Sequence, residues 1–248
     1  MPQESNGKVA VVTGGAAGIG QAFATRLATD GFDVVIADLG DASDTVAAVS
    51  ALGRRAAAYT CDVSSADSVA EFGKSAVDDF GRIDVLVNNA GIYPATAFLD
   101  MSWEEWQRVI NINVNSLFHT AKAALPGMVE RGWGRIISVS STTFHSGIPF
   151  NTHYTASKGA VIGFTRSLAA EVGEHGVTVN SIAPGLVRTA TTSAGPQAQM
   201  FDVLAQQQAI KRTQEPADLV GACSFLASAD AAFITGQTLC VDGGWVRA

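Results

Sequence analysis

Seven short apolar runs punctuate this chain, at residues 9–12, 34–37, 56–59, 85–87, 136–139, 178–182 and 238–241. Between most of them, as at 104–128 and 157–172, apolar residues recur with the period of a helix. Short runs without polar alternation suit the strands of a parallel sheet, whose two faces are both covered by helices. Strand and helix in alternation therefore predict an α/β fold built on one parallel sheet. No linker, repeat or low-complexity segment breaks the pattern, so residues 1–248 read as a single domain.

The first run leads straight into Thr13-Gly14-Gly15-Ala16-Ala17-Gly18-Ile19-Gly20, and helical period follows at 21–28. Strand, glycine-rich turn and helix in that order form the context of a dinucleotide-binding turn. Gly14 permits the tight turn, Gly18 lets the backbone approach a pyrophosphate, and Gly20 allows helix and strand to pack closely. The helix N-terminus around Ile19 adds free N–H groups and a positive dipole end. The domain is thus expected to be Rossmann-like and doubly wound, with helices on both faces of the sheet. Asp38 closes the second run, eighteen residues beyond Gly20. A carboxylate there accepts hydrogen bonds from a ribose diol and repels a 2′-phosphate. No Lys or Arg stands at positions 15, 16, 17, 39 or 40 to hold that phosphate, so NAD is the expected cofactor.

A second constellation lies past the fifth run. Ser141 is expected at the carboxyl end of a buried strand, where open α/β sheets place their sites. Tyr154 follows thirteen positions later, and Lys158 four after that. On a helix, i and i+4 share a face, which sets the Lys158 ammonium beneath the Tyr154 phenol. Tyrosine ordinarily titrates near ~10, and a neighbouring cation favours the phenolate. The expected device is proton transfer at an alcohol or ketone oxygen. Tyr154 carries the proton, Ser141 hydrogen-bonds the oxygen, and Lys158 lowers the tyrosine pKa.

The glycine turn, then Asn88-Asn89-Ala90-Gly91, Ser141, Tyr154 with Lys158, and Pro184-Gly185 resemble the short-chain dehydrogenase/reductase family over about residues 8–244. The resemblance implies an NAD-dependent oxidoreductase with Asn113 as a further catalytic residue. An amide at that position is expected to kink its helix and hold a water linking Lys158 to solvent. Ser116 stands where the family pattern often has glycine. The resemblance also implies that Asp62 and Val63 flank the adenine and that Asn89 and Ala90 border the ribose. Lys158 would hold the nicotinamide ribose hydroxyls and Thr189 the carboxamide, with Tyr154, Pro184, Gly185 and Val187 completing the cofactor set. Family members mostly form tetramers by pairing long helices, so a homotetramer is expected, with Trp245 and Val246 tucked against a neighbour.

Around Ser141 and Tyr154 the expected substrate pocket draws on Tyr93, Thr143, Phe144, His145, Leu186, Met200 and Phe201. This set is apolar and aromatic, and Arg188 is the one basic residue near it. A phosphorylated, carboxylate or carrier-protein-bound substrate calls for a cationic site. A compact aromatic secondary alcohol or ketone fits better, and residues 93–94, 141–143 and 186–192 resemble the 1-phenylethanol dehydrogenase branch. The alternative is a 3-oxoacyl reductase or a sugar or polyol dehydrogenase; a non-catalytic dinucleotide sensor is the remote one. Residues 188–210, rich at first in small residues, are expected to form a mobile lid.

The charge balance supports the same class. A formal net charge of −7 without any Lys/Arg cluster argues against nucleic acid. No apolar stretch approaches the ~18 residues of a membrane span. The first eight residues lack the apolar core of a signal peptide. Cys61, Cys223 and Cys240 are an odd, scattered set that reads as reduced thiols, so a cytoplasmic protein is expected. Neither they nor His119, His145, His153 and His175 have metal-ligand spacing, and no catalytic metal is expected.

Overall fold

The computed structural model describes residues 7–247. Its strands are β1 (Val9–Thr13), β2 (Asp33–Asp38), β3 (Ala56–Thr60), β4 (Val85–Asn88), β5 (Gly134–Val139), β6 (Val177–Pro184) and β7 (Thr238–Val241). They form one parallel sheet in the order β3-β2-β1-β4-β5-β6-β7. Its helices are α1 (Gly18–Thr29), α2 (Ser43–Ala51), α3 (Ala66–Phe80), α4 (Trp103–Ile110), α5 (Ser116–Glu130), α6 (Thr143–Ser146), α7 (Thr152–Val172), α8 (Ala190–Ala194), α9 (Phe201–Gln207) and α10 (Ala217–Ala227). Each apolar run of the sequence is a strand of this sheet.

Side chains of a strand alternate between faces, and the two cores of the protein follow from that alternation. Ala10, Val12, Val34, Ile36, Val85 and Val87 enter one core, which Phe23 and Leu27 of α1 and Leu219 and Cys223 of α10 complete. Val9, Val11, Val35, Ala37 and Leu86 enter the other, with Phe72 of α3, Met128 of α5 and Ala169 of α7. Val9 through Val12 are at most 1% exposed, so β1 is buried on both sides. Each such Val contributes about 1.5–3 kcal/mol through burial.

Strand order reverses between β1 and β4, and a ligand crevice opens at the carboxyl ends of the strands at such a switch point. The glycine turn after β1 and the segment after β4 meet there; a Cβ on Gly14 would lie 2.9 Å from Ala90 Cα. The stretch 104–128 is not one uniform helix. α4 and α5 are joined by a π turn at Asn111–Asn115, with the buried Asn113 at its centre. The segment read as a lid is helical through α8 and α9, and Arg188 at its start lies 5.0 Å from the Phe201 ring centroid.

Candidate active site

Cofactor side first. Gly14 and Gly18 have φ of +64° and +59°, conformations that L side chains rarely adopt. At Gly20 a Cβ would stand 2.0 Å from the Gly14 carbonyl oxygen, so only glycine lets α1 start this close to β1. Ala17 at the cap of α1 makes no side-chain cap, and the first turn carries no acid. The Gln21 N–H donates to the Ala17 carbonyl, and the amides of Gly18, Ile19 and Gly20 before it lie at an open, dipole-positive end. A cradle of backbone donors closed to any Cβ fits a pyrophosphate.

Asp38 is more than a strand-end acid. One carboxylate oxygen accepts the Ala16 N–H at 2.9 Å and the other the Gly40 N–H at 2.9 Å, tying the glycine turn to the end of β2. Asp62 accepts both the N–H and the hydroxyl of Ser64, which hold its carboxyl below the ordinary range. Val63 is packed into the core. Thr13, which carried no role in the sequence reading, organises the crevice: its hydroxyl accepts the N–H groups of Asn89 and Ala90 at 3.0 and 3.1 Å. The Asn89 amide in turn donates to the carbonyls of Thr13 and Gly14. Thr189 lies against the same turn, since a Cβ on Gly18 would stand 3.3 Å from its methyl. Its hydroxyl caps α8 by accepting the Thr192 N–H, while the Thr192 hydroxyl accepts the Thr189 N–H. Pro184 accepts from Thr142, the Gly185 N–H donates to Gln214, and Val187 bridges to Gln214, which holds this strand end. Gln214 is a second residue the sequence did not single out.

Chemistry side next. Ser141 and Lys158 are buried, and Tyr154 is half-buried. The Lys158 Nζ lies 5.5 Å from the Tyr154 ring centroid, as the i, i+4 spacing on α7 requires, and donates to the Val139 carbonyl at 2.8 Å. Burial pushes the Tyr154 phenol up to about 12, opposed by the Ser141 hydroxyl, and pushes the Lys158 ammonium down to about 8. This corrects the expectation that Lys158 brings the tyrosine below its ordinary value: in the protein alone desolvation sets the direction, and the Ser141 hydroxyl is the group that opposes it. Both groups are held in their uncharged directions, so either charge is strongly felt by the other once present.

Asn113 is buried and hydrogen-bonded on both sides of its amide. Its oxygen accepts the Ile92 N–H, and its nitrogen donates to the Ile92 carbonyl and to the Ser157 hydroxyl. The amide thus clamps the loop after Gly91 onto α7. Its oxygen and Lys158 Nζ both crowd Gly91, at 3.1 and 3.6 Å from where a Cβ would stand. The helix distortion expected at this residue is present as the π turn. Asn111 and Asn115 bond each other on the surface.

Of the expected pocket residues, Tyr93 packs edge-on against Tyr154 with ring centroids 6.3 Å apart. The Tyr93 and Thr143 hydroxyls are buried with no partner among the described residues. The Phe144 ring closes over Gly159, and His145 Nε2 lies 4.0 Å from Cys240 Sγ. Leu186 is half-buried, Met200 is exposed, and Phe201 is buried against Arg188. Trp245 folds onto its own subunit, donating from Nε1 to Gln207 of α9 at 3.0 Å. Among the described residues no helix is long and apolar enough to cross a membrane.

A sequence-family model described as enoyl-(acyl carrier protein) reductase matches residues 14–246. A 3-oxoacyl-(acyl-carrier-protein) reductase of Vibrio cholerae is 42% identical over 241 residues, covering 96% of this chain and 97% of its own. A short-chain type dehydrogenase/reductase from Mycobacterium marinum superimposes with TM-score 0.93 and 34% identity, covering 99% of this chain and 98% of its own. Carveol dehydrogenase from Mycobacterium avium, solved in complex with NAD, gives TM-score 0.92 and 28% identity with 98% of each chain covered. With its glycine turn, parallel sheet and Ser-Tyr-Lys cluster, this chain belongs to the short-chain dehydrogenase/reductase family of oxidoreductases.

Proposed function

We propose that the protein is an NAD-dependent dehydrogenase that interconverts a secondary alcohol and its ketone, with a compact aromatic group beside the reacting carbon. The observation that carries the cofactor choice is Asp38, whose carboxylate stands at the ribose end of β2, bonded to the glycine turn. A phosphate placed there meets a negative charge. The residues that would hold NAD are Gly14, Gly18, Ile19, Gly20, Asp38, Asp62, Val63, Asn89, Ala90, Pro184, Gly185, Val187 and Thr189. When bound, NAD supplies the hydride acceptor for the alcohol carbon.

The chain's own residues handle the oxygen. In oxidation Tyr154 Oη takes the hydroxyl proton, Ser141 donates a hydrogen bond to the forming carbonyl, and the Lys158 charge favours the phenolate. In reduction the neutral phenol returns the proton. Tyr93 supports an aromatic substrate, because its ring flanks Tyr154 and its unpartnered hydroxyl suits a ring substituent. The resemblance to the 1-phenylethanol dehydrogenase branch points the same way. Arg188, near the pocket, is paired with Glu215 at 3.3 Å, which disfavours an anionic substrate. The 42% identity to a 3-oxoacyl-(acyl-carrier-protein) reductase favours a second reading, reduction of a 3-oxoacyl group. We also propose that residues 188–210 act as a mobile lid, that the enzyme is a cytoplasmic homotetramer, and that nucleic acid and membrane are not partners.

The test is a panel of 1-arylethanols, acetophenones, 3-oxoacyl thioesters and polyols, followed by NADH or NADPH absorbance. The expected result is a kcat/KM for an arylethanol with NAD at least ten times that of any other pair. A leading 3-oxoacyl thioester with NADPH would transfer the assignment to the second reading.

A further inference from the structure

His153 stands immediately before Tyr154 and is fully buried. Its Nδ1 accepts the Tyr154 backbone N–H at 2.9 Å, and its Nε2 lies 3.0 Å from Glu105 Oε1 on α4. An Nδ1 that accepts leaves the ring proton on Nε2, so the neutral ring donates to the Glu105 carboxylate; this tautomer follows from the partners. Glu105 Oε1 also accepts the Thr96 hydroxyl at 2.6 Å.

The bond answers a local need. Tyr154 is the third residue of α7, so its N–H has no acceptor within the helix. Asn151, at the usual capping position, makes no cap and donates instead to the Pro94 carbonyl. His153 supplies the missing acceptor from inside the first turn. The Tyr154 carbonyl is held as well, by the Ser157 hydroxyl at 2.6 Å, which in turn accepts from Asn113. The peptide groups on both sides of Tyr154 are thus anchored to the segment that runs from α4 through the π turn.

We propose that Glu105 and His153 form a positioning pair that sets the catalytic Tyr154 by capping its amide from α4. Thr96 extends the chain to the loop that carries Tyr93, since the Thr96 N–H also donates to the Phe150 carbonyl. Arg108 on α4 is the further charged group acting on Glu105, and Tyr154, which Tyr93 and Lys158 flank, adjoins His153 on α7. The pair touches neither substrate nor cofactor; it works through the placement of the phenol against Lys158. The inference rests on Tyr154 as the proton carrier of the proposed reaction.

Three variants test it, each assayed for alcohol oxidation against pH. His153→Leu removes the acceptor, and displacement of a reacting group is expected to lower kcat about 10- to 100-fold with KM within twofold. The alkaline inflection moves as well, because the phenol then sits differently against the Lys158 charge. His153→Asn carries an oxygen the same number of bonds from the backbone as Nδ1, and it is expected to recover most of kcat and the inflection. His153→Gln reaches Glu105 but overshoots the amide, and should remain slow. His153→Leu with kcat within twofold of the parent overturns the proposal, as do Asn and Leu variants equally slow at an unmoved inflection. If His153→Leu fails to fold, the comparison of Asn with Gln decides, and a Gln variant as fast as Asn counts against it. Hydrogen exchange of the 152–156 amides provides an arm that needs no substrate, with Tyr154 expected to lose protection in His153→Leu but not in His153→Asn. An enzyme that turns over no alcohol refutes the proposed function, while the exchange arm still passes or fails the positioning pair.

Discussion

Lys158→Met isolates the electrostatic half of the site. The ammonium lies 5.5 Å from the Tyr154 ring centroid, with Lys158 buried and Tyr154 half-buried. At that separation an effective dielectric near ~20 gives an attraction to the phenolate of about 3 kcal/mol, equivalent to about 2 pH units. Where the ammonium is charged, its removal is expected to raise the alkaline inflection of kcat/KM for alcohol oxidation, by that amount at most. The same charge leaves a signature in stability. Burial lowers the Lys158 pKa from 10.5 to about 8, so folding disfavours the ammonium. That cost is fully present below pH 8 and is relieved as pH rises from 8 toward 10.5, where the unfolded chain holds more protons than the folded one. Between about pH 7 and pH 10 the parent should therefore gain roughly 2–3 kcal/mol relative to the methionine variant. Urea unfolding at both pH values measures it, alongside the pH–rate profile. An inflection that stays in place would assign the titration to a group other than Tyr154. A flat difference in stability would refute the buried ammonium.

Four further outcomes are expected. Tyr154→Phe should lower turnover by about 10²–10⁴ with NAD affinity nearly unchanged, and turnover within tenfold of the parent would rule out the phenol as proton carrier. Asp38→Ala removes the acceptor for the Ala16 and Gly40 amides and the charge that repels a 2′-phosphate; NAD binding by titration should weaken at least about tenfold and the NAD/NADP ratio of kcat/KM narrow. Gly20→Ala places a methyl 2.0 Å from the Gly14 carbonyl and forces the turn open, so calorimetry should find dinucleotide binding lost in a chain that still folds. Truncation after Gly244 removes the Trp245 contact to Gln207; light scattering on parent and truncated chain reads the proposed tetramer, and a monomeric parent would sink it.

Much of the fold was legible because its determinants are local. A strand buried on both faces, such as β1, is apolar at nearly every position and is legible for that reason, whereas the outer strands β3 and β7 are only partly buried. The dinucleotide turn was legible because glycine alone tolerates the positive φ of Gly14 and Gly18 and the contact at Gly20. Tyr154 and Lys158 were linked by helical spacing alone. Their pKa directions were not, because desolvation is set by everything packed around a group, and here it is the largest cause for both.

The sequence by itself determined the order of strands and helices, the glycine cradle, and the Ser-Tyr-Lys set. Tertiary structure alone decided which partners those residues meet. Thr13 reaches Asn89 across a gap of 76 residues, Gln214 reaches Gly185, and Glu105 reaches His153. Nothing in the local pattern marks these, because a threonine or glutamate reads the same whether solvated or bonded. The fates of Phe144 and His145, close in sequence to Ser141 yet turned toward Gly159 and Cys240, were settled in the same way. Backbone propensity acts over a few residues, whereas the direction of a side chain depends on which distant surface closes over it.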